Sequence, residues 1–206
     1  MVIAANGGSA LAVHLGLVPD LVIGDLDSAD PRLIENWAHL GIEMRRHSHT
    51  TKNETDTELA VLAALVWLQG APATIYILGA TGGRLDHTLA NILLLTLPQL
   101  RSVDVRVVEG EQEVFFAKVG QWNPVAGQPG DLMSLLPVGG DASGIILEGF
   151  AYPLHRETLL QGSGRGVSNE IAAQDARLWL DAGQLLVIVS HGTGVRNQES
   201  GIRNQY

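Results

Sequence analysis

Leu21-Val22-Ile23-Gly24-Asp25-Leu26-Asp27-Ser28 is the stretch on which the reading of the whole chain turns. A β-branched apolar run that stops at a glycine is the pattern of a buried strand ending in a tight turn. In open α/β sheets, ligands bind at such C-terminal strand edges. Two acidic side chains with one residue between them then project from the strand end. As structure alone, one would cap the next helix and the other would face water. As chemistry, Asp25 and Asp27 are hard oxygen ligands suited to Mg2+, the ion that accompanies a polyphosphate.

Upstream, residues 1–5 form a short apolar run that leads into Asn6-Gly7-Gly8. This reads as a strand entering a glycine turn, with Ser9 placed to cap a helix over 10–15 that Gly16 ends. Downstream, Pro31 stands at a first-turn helix position. Leu33, Ile34, Trp37 and Leu40 then fall at helical spacing before Gly41. Residues 42–46 read as a further strand. Strand, glycine turn and helix repeat, and that repetition predicts a parallel sheet with helices on its faces.

The polar segment 47–58 follows. His47 and His49 have a spacing a metal could use, but no other ligand cluster lies beside them, and they read as solvated loop residues. Thr55 and Glu58 have capping-box spacing, and Leu59, Leu62, Ala63, Val66 and Trp67 predict an amphipathic helix. Asp56 thereby enters a helical first turn, where the helix dipole favours a carboxylate whatever its use. Residues 73–78 read as a strand running into Gly79-Ala80-Thr81-Gly82-Gly83-Arg84-Leu85-Asp86-His87. Such a turn lets backbone N–H groups approach phosphate, and Arg84 adds a planar, permanently charged fork. The Gly-Lys-Ser/Thr ending of a Walker A loop is missing. The alternative is an ordinary turn with Asp86 capping a helix over 88–97 that Pro98 ends.

From Val103 onward the rhythm changes. Short β-rich pieces at 103–108, 114–117, 132–135, 145–147, 178–180 and 185–189 are divided by Gly, Pro and Asp. They predict a small β-sandwich or barrel after a boundary near 100–110. Within it, Gly149-Phe150-Ala151-Tyr152-Pro153-Leu154 and Gly164-Arg165-Gly166-Val167-Ser168-Asn169-Glu170 are loop-like. They fit either turn chemistry or the grip on a polar aromatic ligand. The tail repeats itself, Gly194-Val195-Arg196-Asn197-Gln198 and then Gly201-Ile202-Arg203-Asn204-Gln205, and reads as a polar surface extension.

Composition bounds the function. A chain of 206 residues with 46% hydrophobic content can bury two small cores, and a net charge of −9 argues against a broad nucleic-acid or anionic-membrane surface. Local basic residues must therefore do any phosphate binding. With no cysteine, disulfides, thiolate zinc sites and cysteine nucleophiles are excluded. No run approaches a membrane span and the start lacks the basic region of a signal peptide, so a soluble cytoplasmic protein is expected.

Together these pieces resemble the thiamine pyrophosphokinase (thiamine diphosphokinase) family. The resemblance rests on Asn6-Gly7-Gly8, on Pro19-Asp20 leading into Gly24-Asp25-Leu26-Asp27-Ser28, and on Lys52-x-x-Thr55-Asp56-x-Glu58. It continues through Gly82-Gly83-Arg84-Leu85-Asp86-His87 with Asn91, then Gly149 to Leu154 and Ser168-Asn169-Glu170. It implies an α/β chain: an N-terminal parallel-sheet, Rossmann-like, ATP-binding catalytic domain over 1–105, a C-terminal thiamine-binding β-sandwich over 106–192, and a tail over 193–206. It also implies a homodimer with the active site at the subunit interface. The implied reaction converts ATP and thiamine, with Mg2+, to AMP and thiamine diphosphate. Asp25, Asp27 and Asp56 would hold the metal and, with Arg84, carry catalysis. Asn6, Gly7, Lys52, Thr55, Gly82, Gly83, Arg84, Asp86, His87 and Asn91 would line the ATP site. Tyr152, Ser168 and Asn169 would face thiamine, with the Tyr152 ring stacked on its cation.

Three features depart from the family pattern. Asn6 stands where Asp is common, and Asn53 stands where an Asp after the lysine is common; both remove negative charge near the expected metal site. Family members also usually begin with an extra strand and turn, so the expectation is either a truncated start or a sheet lacking that strand. A thiamine- or nucleotide-binding protein without turnover is the corresponding alternative. A second alternative takes Asp25 as the nucleophile and Asp27 as the acid/base of a haloacid-dehalogenase-type phosphatase, which leaves 82–87 and the β-rich half unexplained.

Overall fold

A computed structural model describes residues 1–27, 29–47 and 53–192. The chain divides into two compact units, one of Met1–Ile75 with Thr81–Leu94, the other of Tyr76–Ala80 with the chain from Leu95 onward.

The first unit is built on β1 (Ile3–Ala5), β2 (Leu21–Gly24) and β3 (Glu43–Arg46), a parallel sheet in chain order with Ala5 opposite Ile23 and Gly24 opposite Arg46. β2 is the central strand and is buried along its whole length. Its side chains alternate between two cores, as the pleat requires. Val22 packs with Ala12 of α1 (Gly8–His14) and with Ile34 and Trp37 of α2 (Pro31–His39). Leu21 and Ile23 pack on the other face with Ala63 and Leu59 of α3 (Asp56–Leu68). Burying each of these aliphatic side chains stabilises the unit by roughly 1.5–3 kcal/mol, so the sheet with helices on both faces follows from β2 being apolar throughout.

Local signals set the helix limits. Pro31 opens α2 behind Asp30, whose carboxylate accepts the Arg32 N–H at 2.9 Å, and Gly41 follows the helix at φ +78°. Thr55 caps α3 by accepting the Glu58 N–H at 3.2 Å.

Three expectations need correction. Ser9 does not cap α1: Gly7 precedes the helix without a side-chain bond, and Ser9 lies inside it, fully buried, its Oγ without a partner. The expected amphipathic helix at α3 is apolar on all sides, because alanine, valine and leucine fill both its faces; Val66 and Trp67 stay exposed. Pro98 does not end the helix over 88–97. α4 runs Leu85–Leu94, and Pro98 instead starts a 3-10 turn, Pro98–Leu100, since a proline tolerates a first-turn position better than an interior one.

The second unit is β-rich. β4 (Thr74–Leu78) joins not the parallel sheet but the edge of a six-stranded one, next to β5 (Asp104–Glu109). The rest of that sheet is β6 (Gln112–Phe116), β13 (Leu185–Ser190), β8 (Leu132–Pro137) and β11 (Asn169–Glu170), antiparallel from β5 onward. A four-stranded antiparallel sheet orders β10 (His155–Leu159), β9 (Ala142–Glu148), β12 (Arg177–Trp179) and β7 (Trp122–Pro124). Met133, Leu135 and Val187 of the first sheet and Ile145, Leu147 and Leu178 of the second share one core and are almost wholly buried. Alternation of buried and half-buried residues along β8, β9 and β13 sets that arrangement. No helix among the described residues is long and apolar enough to cross a membrane.

Candidate functional site

Parallel strands bring their C-terminal ends to one edge, and the residues just beyond those ends therefore become neighbours. Asn6 follows β1, Asp25 and Asp27 follow β2, and Asp56 opens α3, the helix that covers one face of the sheet. Their side chains meet. The Asn6 amide nitrogen donates to Asp25 Oδ1 at 2.8 Å, to Asp27 Oδ1 at 3.0 Å and to Asp56 Oδ2 at 3.1 Å. Residues separated by up to 50 positions thus share one donor, and the three aspartates singled out in the sequence form one group.

The backbone makes this convergence possible at some cost. Leu26, between the two aspartates, is left-handed at φ +64°, a conformation that opposes its Cβ by about 1–2 kcal/mol. Its side chain packs against the core beneath β2 while Asp25 and Asp27 turn toward Asn6. The Asp27 N–H closes the turn onto Asp25 Oδ1 at 3.2 Å. Asn6 is itself left-handed at φ +43°, which asparagine tolerates better than most residues. Gly24, at φ +135°, lies under the group: a Cβ there would come within 2.9 Å of Asp56 Cγ and Oδ1 and 3.3 Å of Asn6 Cβ. Gly24 and Leu26 are site-building positions that the sequence reading quoted only as turn residues. The glycine after the apolar run was the available signal for the first; nothing local signals the second.

A second group lies on the turn before α4. The Arg84 guanidinium grips Asp86 through two bonds, Nε to Oδ1 at 3.1 Å and Nη2 to Oδ2 at 2.6 Å, and the His87 N–H donates to the same carboxylate at 2.9 Å. The Arg84 hydrogen bond is the main reason the Asp86 carboxyl is held down at about 2, and the same contact raises the guanidinium. Both side chains are exposed, so the pair sets an orientation rather than stability. Asp86 does not cap the helix from outside, as one reading of the sequence had it, but stands in its first turn. Gly83 is left-handed at φ +84°, and a Cβ at Gly82 or Gly83 would meet no atom within 4 Å, which leaves this backbone open to an approaching ligand. His87 is exposed, Asn91 is buried in α4, and Gly7 is the exposed residue before α1. The Thr55 hydroxyl is engaged in capping α3. Lys52 lies outside the described residues, as do Ser28, His49 and the tail over 193–206.

In the β-rich unit, Asn169 and Tyr152 are joined. Asn169 Oδ1 accepts the Tyr152 N–H at 3.1 Å and the Glu170 N–H at 2.8 Å, while its Nδ2 donates to the Tyr152 carbonyl at 2.7 Å. Asn169 is buried, and its carboxamide ties the loop to β11. Tyr152 is 69% exposed. Ser168 is left-handed at φ +60°, its N–H donating to Ser134 Oγ at 3.1 Å. A cavity of about 460 Å3 in this unit, lined by Leu100, Phe116, Lys118 and Gln184 among others, lies elsewhere. It opens at the Leu185 end of β13, whereas Asn169 sits beside Met133, which pairs with Val189 near the far end of that strand. The concavity and the expected ligand contacts are thus at opposite ends of one sheet, and side-chain chemistry is the better guide to function here.

The carboxylate group suits a hard divalent cation. Its donors are all aspartate oxygens, they converge on one point, and Mg2+ commonly takes only one or two carboxylates beside phosphate and water. Among the described residues no three acidic, histidine or cysteine side chains are grouped to hold an ion, and the Asn6 amide nitrogen stands between the three carboxylates. Asp25, Asp27 and Asp56 match the ion in donor chemistry.

Comparison with known proteins bears on both units. A family model described as thiamin pyrophosphokinase, catalytic domain, matches residues 1–107, and one described as thiamin pyrophosphokinase, vitamin B1 binding domain, matches residues 124–185. A thiamine pyrophosphokinase of Bacillus subtilis is 29% identical over 192 residues, covering 91% of this chain and 86% of that protein. A crystal structure of thiamine pyrophosphokinase from Bacillus subtilis superposes with a TM-score of 0.80 at 26% identity, over 92% of this chain and 86% of the other. The thiamin pyrophosphokinase of Candida albicans shares the fold at 18% identity, with a TM-score of 0.77 over 92% and 82% of the two chains. The catalytic-domain match alone spans more than half of the sequence, runs through the strand ends that gather Asn6, Asp25, Asp27 and Asp56, and is followed in the expected order by the second domain: the chain belongs to the thiamin pyrophosphokinase family.

Proposed function

We propose that the chain is a thiamine diphosphokinase, which transfers the pyrophosphoryl group of ATP to the hydroxyl of thiamine and releases AMP. The observation that carries this reading is the meeting of Asp25, Asp27 and Asp56 at the edge where the parallel strands end, within the region matched by the catalytic-domain model. Domains over 1–105 and 106–192, the first Rossmann-like and the second a β-sandwich, belong to the same proposal.

In this reaction the thiamine oxygen attacks the β-phosphorus of ATP, the bond from that phosphorus to the α–β bridging oxygen breaks, and AMP leaves with that oxygen. Such a transfer needs chiefly positioning and charge neutralisation. Asp25, Asp27 and Asp56 would hold Mg2+, and the bound ion would offset negative charge on the phosphates. Arg84 keeps Nη1 clear of its fork with Asp86, so this nitrogen can take a phosphate oxygen while Asp86 fixes the plane of the group. Gly82 and Gly83 let phosphate approach the backbone, with Asn6, Gly7, Lys52, Thr55, His87 and Asn91 completing the ATP site. The thiamine hydroxyl proton passes to one of the carboxylates or to His87. The exposed Tyr152 ring would stack on the thiazolium, with Ser168 beside it and Asn169 holding the loop.

A homodimer with its active site at the subunit interface is supported by the exposed apolar stripe Leu85, Leu89 and Leu93 on α4, together with Val66 and Trp67 on α3. A cytoplasmic location is what ATP and Mg2+ as reactants imply. The test is AMP formation by purified protein given ATP, Mg2+ and thiamine, with a thiamine-free control. Thiamine-dependent AMP is the expected outcome. Binding of both substrates with no AMP would overturn it in favour of a binding protein, and phosphate release from simple esters without ATP in favour of a phosphatase.

A further inference from the structure

We infer that the cavity of the β-rich unit is a binding site for a small organic phosphate with one flat ring, separate from the expected thiamine contacts at Tyr152 and Asn169. This goes beyond the proposed reaction and does not depend on it. The cavity holds about 460 Å3, within the roughly 300–1,000 Å3 of small-molecule sites. It forms where the chain passes from the 3-10 turn into β5, beside the turn after β6 and the residues that lead into β13. Part of its wall is apolar, with Leu100 and Val105 buried and Phe116 half-buried.

Charge decides the class of ligand. Two cations, Arg101 and Lys118, line the cavity against one acid, Asp104, and Arg106 Nε holds that carboxylate at 2.9 Å. Among the described residues no acidic side chain forms an ion pair with Arg101 or Lys118. In a chain of net charge −9, a concave site with two unpaired cations draws anions, because low-dielectric walls focus the field. Lys118 is also held in place. Its N–H donates to Asn123 Oδ1 at 2.7 Å, its carbonyl accepts from Asn123 Nδ2 at 2.9 Å, and Asn123 is buried. On either side, the Ala117 N–H donates to the Leu185 carbonyl at 3.0 Å and the Gly120 N–H to the Leu180 carbonyl at 2.9 Å. A cation on a fixed backbone loses less freedom on binding than one on a loose loop. A phosphate dianion suits the two cations, Phe116 suits a ring, and the exposed Gln184 carboxamide can bond the ring's polar substituents.

The experiment titrates the protein with phenyl phosphate, and in parallel with benzyl alcohol and with inorganic phosphate, followed by residue-resolved amide NMR. Phenyl phosphate should shift the Phe116, Lys118 and Gln184 amides saturably with a millimolar or tighter Kd. The other two probes should bind at least about tenfold more weakly, since each lacks half of what is recognised. Lys118→Gln should weaken phenyl phosphate about tenfold and Arg101→Gln about threefold, with melting unchanged, and Lys118→Arg should keep the wild-type affinity. Arg84→Gln, on the expected ATP loop, should leave the cavity shifts as they are. Shifts confined to Arg84 and His87 would overturn the cavity site while leaving the proposed reaction untouched. Equal affinity in wild type and Lys118→Gln, benzyl alcohol binding as tightly as phenyl phosphate, or no saturable shift at the cavity would overturn it as well.

Discussion

Asn6 and Asn169 each place one carboxamide at the centre of a loop junction, and they use it in opposite ways. Asn169 bonds only neutral backbone: its oxygen accepts two N–H groups and its nitrogen donates to one carbonyl, all within the β-rich unit. Asn6 turns its nitrogen toward three carboxylates in the α/β unit. The first junction is buried and neutral, and such a junction contributes stability. The second gathers three acidic side chains around one amide nitrogen, a polar junction rather than a neutral one. Packing follows the same division. The β-rich core holds many wholly buried side chains, while the α/β unit carries two left-handed non-glycine residues at its carboxylates and leaves Val66 and Trp67 exposed. Left-handed non-glycine backbone marks the expected contacts of both units, at Asn6 and Leu26 in one and at Ser168 in the other.

The sharpest way to break this contrast is to remove one acid. Asp27 is exposed and contributes little packing, so Asp27→Ala should lower thiamine-dependent AMP formation on the order of a hundred- to a thousandfold while melting stays near wild type. Activity within tenfold of wild type would remove Asp27 from the site. The converse holds at the other junction. Asn169→Ala leaves the Tyr152 and Glu170 N–H groups and the Tyr152 carbonyl without their partner and should cost about 2–3 kcal/mol in denaturant unfolding. Asn169→Asp, which keeps the acceptor but sets a buried carboxylate oxygen against the Tyr152 carbonyl, should cost at least as much. A loss of less than about 0.5 kcal/mol in Asn169→Ala would show that the amide is not the tie. Smaller again is the effect at Tyr152, whose exposed ring stabilises nothing around it. Tyr152→Ala should raise the KM for thiamine about fivefold, the roughly 1 kcal/mol of a cation–π contact, with kcat little changed, and Tyr152→Phe should preserve wild-type KM. A KM unchanged in both would separate the ring from the substrate.

Much of this was legible before any coordinates. Period and punctuation sufficed for β2, α2 and most strands of the second half, because an uninterrupted apolar run and alternating burial are signals carried by single segments. The three aspartates could be singled out one by one, but their meeting depends on parallel register and on the helix that returns Asp56 to the same edge, neither of which is local. The same limit explains β4: its residues read as a strand, but nothing within them says which sheet they join. Short strands such as β7 and β11 were missed because two or three residues carry no period. Asn169 illustrates a subtler gap. Its loop was noticed as a place for ligand contacts, while its bonds to Tyr152, 17 residues away, make it a clamp for that loop.

The smallest effect concerns Arg84 and Asp86, and it tests whether their fork exists in solution. Contact with Arg84 holds the Asp86 carboxyl at about 2, below its ordinary value of 3.8. A carboxyl with a depressed folded value contributes stability that is present above the unfolded value and is lost as pH falls toward the folded one. The window therefore runs from about pH 4 down to about pH 2, and the pair stays intact and charged across neutral pH. Its orientation of Arg84 is then constant wherever the enzyme is assayed, and any bend in the activity profile between pH 5 and 8 must arise at other groups. Carbon-detected NMR titration of the Asp86 carboxyl should give a midpoint near 2, moving toward 4 in Arg84→Gln. A midpoint near 4 in the wild-type protein would mean that the guanidinium is not held by Asp86, and that phosphate finds Arg84 unpositioned.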